Sequence, residues 1–220
     1  FDYITIHETG HEWFGNSITS KDIADMWIHE GFTTYTETVF IECVKGYDEA
    51  IKYVNGQSRS VRNDRPVIAQ FGVNKEGSGD MYYKGALMLN TIRHIINDDA
   101  KWWKLLYNYS ETYKKQIIDT KTVIDYFNKE SGLDLTSVFN QYLTTTKIPK
   151  LVLSKTGNKL SYEWQNVNTD FKMPVDIVIN EKTIRLHPTT SKQETKIDKK
   201  IKLENIQVKT NQFFIKVEKK

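Results

Sequence analysis

The sequence has a single cysteine, Cys43, among its 220 residues, so no internal disulfide can hold the fold together. It has no apolar run approaching the roughly 18 to 20 residues of a membrane-spanning helix, and none is expected. A dominant charge is also missing. The net charge of +3 is too small to argue for nucleic acid, and no nucleic-acid partner is expected. No repeat or low-complexity tract is visible, and histidine is scarce, with five residues. What is there is globular in composition: 39% hydrophobic, 27% charged and 12% aromatic, on a chain long enough to bury a core. The opening FDYITIHETGHEW lies inside an apolar-periodic segment with no initiator Met, signal peptide or cap before it. This reads as part of something longer.

Charge and texture both change near Pro149. Residues 1–150 carry 17 Lys+Arg against 20 Asp+Glu, and residues 151–220 carry 14 against 8. Before the change, apolar residues recur at helical spacing in MWIHEGFTTYTETVFIECV, YKGALMLNTIRHII and VIDYFNKESGLDLTSVFNQYL. After it come the short runs LVLS, KLSYEW, PVDIVI, TIRLH, IKLENIQVKT and FFIKVE, separated by turn signals such as Thr156-Gly157-Asn158 and Asn180-Glu181-Lys182. The pattern predicts an α+β chain: a mostly helical domain over 1–148 and a small antiparallel β-sandwich over 149–220. The lysines of the second part fall at alternate or turn positions, as on a solvated strand face that resists edge pairing. VNKEGSGDM (73–81) reads as a polar loop with Asp80 as the N-cap of the next helix.

The strongest chemical signal is His7-Glu8-Thr9-Gly10-His11. Residues i and i+4 stack on one helix face, so two imidazoles can grip one zinc ion while Glu8 stays beside them, free of the metal. A catalytic zinc keeps three protein ligands and one open position, so a third ligand is needed. Gly15-Asn16-Ser17 reads as the end of the first helix, with Ser20 or Asp22 capping the next. A second, antiparallel helix would carry Trp27, Glu30, Thr34, Glu37 and Ile41 on one stripe. Glu30 falls where that helix passes the first, and Glu37, two turns on, can accept a hydrogen bond from a metal-bound histidine.

HETGHEWFGN followed by Glu30 inside WIHEGF resembles the aminopeptidase N family of zinc metallopeptidases, the gluzincins. The resemblance implies a thermolysin-like catalytic domain with His7, His11 and Glu30 as ligands of one zinc ion per chain and Glu8 as general base. It extends to Tyr82 in YYKGA, where the family places a tyrosine that stabilises the transition state ahead of a Lys-Gly pair. It covers residues 1 to about 150 and continues more loosely into KIPKLVLS and FKMPVDIVI. It implies peptide substrates and removal of their N-terminal residues. The family's Gly-Ala-Met-Glu-Asn type segment, which binds the substrate amine, lies about thirty residues before the zinc motif. This sequence begins six residues before His7, so the exopeptidase reading is inherited from the family. An endopeptidase or other hydrolase on the same zinc scaffold, and a non-catalytic metal-binding homologue, are the alternatives; retention of Glu8 and Tyr82 speaks against the last.

The other residues read blandly. His29 neighbours Glu30 on a helix and points about 100° away, so it is not assigned to the metal. Cys43 in VFIECV reads as a buried small hydrophobe. His94 and His187 have no partner at ligand spacing, Trp102 and Trp103 read as helix core, and Arg59, Arg62 and Arg65 as solvated. The low cysteine and the abundance of lysine and asparagine fit a bacterial protein. It could be cytoplasmic, in the cell envelope or secreted, with any sorting signal upstream.

Overall fold

The computed structural model describes residues 1–220. The chain divides into two compact units, Phe1–Thr146 and Lys147–Lys220, and no helix is long and apolar enough to cross a membrane.

The first unit is helical. Helix α1 (Tyr3–Gly10) has a cap after all: the Asp2 carboxylate accepts from the backbone N–H of Ile4 and Thr5 at 3.1 and 3.3 Å. It ends five residues earlier than predicted. The amide groups of Trp13 and Phe14 turn back onto the Gly10 carbonyl, and Gly15 takes φ +143°, leading into strand β1 (Ile18–Ser20). Asp22 caps a short 3-10 turn at Ile23–Asp25, not the following helix, and α2 (Trp27–Lys45) starts without a side-chain cap. Gly46, at φ +89°, stops α2 and opens α3 (Tyr47–Gly56). Helices α4 (Tyr83–Ile96) and α5 (Asp99–Tyr113) follow, the first ending on Asn97 in the left-handed conformation. Strand β2 (Gln116–Ile118) pairs parallel with β1, a contact between short segments that had no sequence signal. The helically spaced run VIDYFNKESGLDLTSVFNQYL spans two helices, α6 (Thr120–Ser131) and α7 (Thr136–Thr144), divided where Gly132 adopts φ +71°.

Helix α2 is the centre of this unit and packs on α1, α3 and α4. Trp27, Ile28 and Phe32 on it are fully buried, as are Ala86, Met88, Leu89 and Ile92 on α4. Phe14, Phe32, Tyr109 and Phe127 form an aromatic core with ring centroids 5.0–6.2 Å apart. Cys43 is exposed, contrary to expectation. It lies two residues, about 200° of helix, beyond the buried Ile41.

The second unit holds two sheets, in the orders β7-β4-β3-β9 and β6-β5-β8. Their strands are β3 (Lys150–Thr156), β4 (Lys159–Gln165), β5 (Val175–Ile179), β6 (Lys182–Leu186), β7 (Gln193–Lys196), β8 (Gln207–Val208) and β9 (Lys216–Lys219). The β5–β6 hairpin turns on Asn180 and Glu181, both at positive φ, as a two-residue turn of type I′ demands. The sheets are not purely antiparallel: β9 returns beside β3 in parallel register, Leu151 opposite Val217. The run IKLENIQVKT is mostly not strand, since Leu203–Asn205 forms a 3-10 turn and only two residues pair. Trp164 anchors the core, its indole N–H donating to the Met173 carbonyl at 3.0 Å and its ring meeting Phe171 edge-on.

Candidate metal centre

Helices α1 and α2 cross where Gly10 meets Thr33 and Thr36; a Cβ on Gly10 would lie 2.6 Å from the Thr36 hydroxyl. The bare backbone at Gly10 lets α1 approach closely, and this sets the two histidines against Glu30. His11 is the C-cap of α1 but keeps helical angles, φ −64° and ψ −17°. The i, i+4 stacking with His7 is therefore intact, the rings 4.9 Å apart.

Both imidazoles are held from behind. His7 Nδ1 donates to Glu37 Oε1 at 2.8 Å, and His11 Nδ1 donates to the Phe14 carbonyl at 3.0 Å with the Thr33 hydroxyl alongside at 3.3 Å. Each histidine thus turns Nε2 inward. The two Nε2 atoms both lie 3.4 Å from the same oxygen, Glu30 Oε2, and the three donor atoms lie within 4.8 Å of one another. Atoms bound about 2.0–2.1 Å from one tetrahedral zinc lie about 3.3 Å apart, so each histidine nitrogen stands at a zinc-like distance from the glutamate oxygen, and a two-nitrogen, one-oxygen donor set suits that metal. The electrostatics agree. Burial alone would lower the His7 pKa, but the Glu30 and Glu37 carboxylates outweigh it and lift it to about 9, so the point between these side chains favours a cation.

Glu37 is 3% exposed and is itself held by two residues with no counterpart in the sequence analysis. The Tyr53 hydroxyl and the Gln57 amide, one turn apart on α3 and the turn after it, both donate to Glu37 Oε2. Their i, i+4 spacing was visible, but nothing in the sequence said that α3 folds back onto α2. Burial, then the Glu37 carboxylate, push the Tyr53 pKa well up, so it stays a donor.

Glu8 is exposed on α1 and lines, with His7, Glu37, Tyr53 and Tyr82, an open cavity of about 610 Å³. The Tyr82 ring lies 6.0 Å from that of His7. Its pKa is raised, first by burial and then by Glu30. The helix crossing beneath Tyr82 is unusually close: a Cβ on Gly85 would sit 2.8 Å from the Gly31 Cα, and one on Gly31 would sit 3.1 Å from the Met81 carbonyl oxygen. Glu30 and Tyr82 are therefore carried by two helices whose backbones touch.

His29 points elsewhere, its Nε2 accepting from the Ser20 N–H at 2.7 Å. His94 is a satisfied core residue bonded to the Asn90 carbonyl and the Tyr47 hydroxyl, and His187 is exposed. Trp102 is buried, and Arg59, Arg62 and Arg65 are exposed. Asp80 does not cap α4; its carboxylate turns back onto the amides of Arg62 and Asn63.

Comparison with known proteins identifies the family. Residues 2–142 match the family model described as the peptidase family M1 domain. The chain is 24% identical over 232 residues to probable aminopeptidase 2 of Sulfurisphaera tokodaii, an alignment covering 96% of this chain and 29% of that protein. It is 25% identical over 169 residues to aminopeptidase B of Rattus norvegicus, covering 66% and 26% respectively. The crystal structure of the M1 zinc metallopeptidase from Deinococcus radiodurans superposes with a TM-score of 0.58 at 25% identity, over 68% of this chain and 34% of that one. Aminopeptidase A of Legionella pneumophila shares the fold over 98% of this chain and 26% of its own, at a TM-score of 0.74 and 14% identity. The chain spans between a quarter and a third of the length of the two curated relatives.

Proposed function

This chain belongs to peptidase family M1, and we propose that it carries the metal centre of a zinc aminopeptidase, which removes N-terminal residues from peptides. The observation that carries this reading is the convergence of His7 Nε2 and His11 Nε2 on Glu30 Oε2, with Glu8 and Tyr82 bordering the cavity beside His7. His7, His11 and Glu30 hold one zinc ion. When bound, it supplies Lewis-acid activation of a water and of the scissile carbonyl. Glu8 takes a proton from the attacking water and passes it to the leaving amine nitrogen. Tyr82, kept protonated by its raised pKa, donates a hydrogen bond to the developing oxyanion, a contribution of about 3 kcal/mol in comparable sites. Glu37 keeps His7 in the tautomer that leaves Nε2 free.

The test is zinc analysis of the protein containing this chain, with paired assays on an aminoacyl-4-nitroanilide and on the same peptide with a blocked N-terminus. One zinc per chain and hydrolysis of only the free-amine substrate are expected. Cleavage of blocked peptides would make it an endopeptidase, and stoichiometric zinc without either activity would make it a binding homologue. Removing the Tyr53 hydroxyl addresses the support behind the metal. Tyr53→Phe leaves Glu37 Oε2 short of its strongest donor and is expected to weaken zinc affinity about tenfold. Competition with a chromogenic chelator measures this, and wild-type affinity would detach Tyr53 from the site.

A further inference from the structure

Two buried charges flank Tyr82 in the chain, and the mechanism above uses neither. Asp80 is 1% exposed, and so is Lys84. Neither sits where its charge is cheapest. An aspartate just ahead of a helix belongs at its N-cap, yet α4 begins with no side-chain cap. The Asp80 carboxylate is instead aimed at a loop eighteen residues earlier: Oδ1 accepts from the Arg62 N–H at 2.8 Å and Oδ2 from the Asn63 N–H at 2.6 Å. A carboxylate taken out of water is costly unless its oxygens are bonded, and here charge-assisted bonds to two consecutive amides hold both of them.

The strap has a second tie. The Ser78 hydroxyl donates to Asp64 at 2.5 Å and accepts from the Asp80 N–H at 3.1 Å. The 3-10 turn Gly79–Met81 is thereby fixed to residues 62–64 immediately before Tyr82. On the other side, Lys84 Nζ donates to the Thr145 carbonyl at 2.8 Å, just past the end of α7. Burial lowers the Lys84 pKa to about 8, with the Asp80 carboxylate opposing the fall. One residue on, Gly85 rests on Gly31 of the metal-bearing helix. Tyr82 lies between these anchors, at the joint between turn and helix.

We propose that Asp80 and Lys84 are positioning residues for Tyr82: they pin the backbone two residues to either side of it and so aim its hydroxyl at the candidate metal centre. The proposal rests on the reading of Tyr82 as the oxyanion donor. Neither residue is among those that line the cavity, and the bonds described here lead from them to Arg62, Asn63 and Thr145 rather than to the metal donors, so each acts through where it holds the chain around Tyr82. A donor displaced by about 1 Å can cost about a hundredfold in rate, so a fixed backbone here has a direct kinetic value.

Non-additivity tests this. Asp80→Asn keeps the shape but turns an amide NH2 toward one of the two N–H donors, breaking one anchor. In the intact protein, kcat on an aminoacyl-4-nitroanilide is expected to fall about tenfold or more, with KM and zinc content near wild type. In a Tyr82→Phe background the same change is expected to cost less than about threefold, because the group it aims is already gone. An equal loss in both backgrounds overturns the proposal. Lys84→Met, which removes the other anchor, is expected to show the same non-additivity and serves if Asp80→Asn does not fold; equal losses there overturn the proposal too. If Tyr82→Phe itself keeps wild-type kcat, the oxyanion reading fails as well, a result distinct from additivity.

Discussion

Glu8→Gln is expected to lower turnover by about a hundredfold to ten-thousandfold while zinc stays bound at wild-type stoichiometry. The substitution is close to isosteric, and none of the contacts that hold His7, His11 and Glu30 involves Glu8. It leaves an amide that can still hydrogen-bond a water but cannot accept its proton. The measurement is kcat on an aminoacyl-4-nitroanilide beside metal analysis of the same preparation. Turnover near wild type with full zinc would remove Glu8 as the base, and a parallel loss of zinc would mean that it supports the metal instead.

The second large effect is on stability. Arg93 on α4 is 2% exposed and carries its charge into the protein. Its guanidinium makes a two-pronged pair with Glu42 of α2, at 2.5 and 2.8 Å, and its Nε donates to Asp99 at 2.8 Å. Its faces meet the rings of Tyr47 and Trp103, whose centroids lie 5.3 and 4.7 Å from Cζ. Burial works against the charge, but Glu42 and Asp99 overcome it and raise the pKa. Arg93→Ala removes this partner from a Glu42 carboxylate that is only 18% exposed and is expected to cost about 3–5 kcal/mol. In a domain of this size that lowers Tm by roughly 10 °C. The double variant Glu42→Gln/Arg93→Met, which leaves no buried charge unpaired because the Asp99 side chain is 62% exposed, should recover a large part of the loss. Thermal melts of the two variants decide it, and equal destabilisation in both would assign the cost to lost packing.

The site was legible in the sequence where one local rule governs it. His7 and His11 stand together because a helix repeats every 3.6 residues, and Glu30 and Glu37 share a face of α2 for the same reason. The hairpin strands of the second unit were readable from alternation and turn residues. Features that depend on distant chain were not. Strand β7, QETK, has no apolar alternation and exists because β4 offers it an edge. The parallel β3–β9 pairing joins segments 66 residues apart, which no local pattern encodes. Tyr53 and Gln57 reach Glu37 only because Gly46 folds α3 back along α2. Asp80 carries every mark of a helix cap and is recruited by two amides eighteen residues upstream instead.

The glycines at the helix crossings set different limits on how such a sequence can change over time. At Gly10, an added methyl group meets the Thr36 hydroxyl at 2.6 Å and then the Thr33 methyl at 3.1 Å, both side chains, so a smaller residue at position 36 with a slight shift of Thr33 can make room for alanine at position 10. Those two positions are free to vary together. At Gly31 and Gly85 the obstacles are backbone atoms, which no change at another side chain can remove. A chain that drifts at the first crossing can be rescued by a second mutation, and one that drifts at the other cannot. Among relatives, position 10 should therefore covary with position 36, and positions 31 and 85 should stay glycine independently of their neighbours.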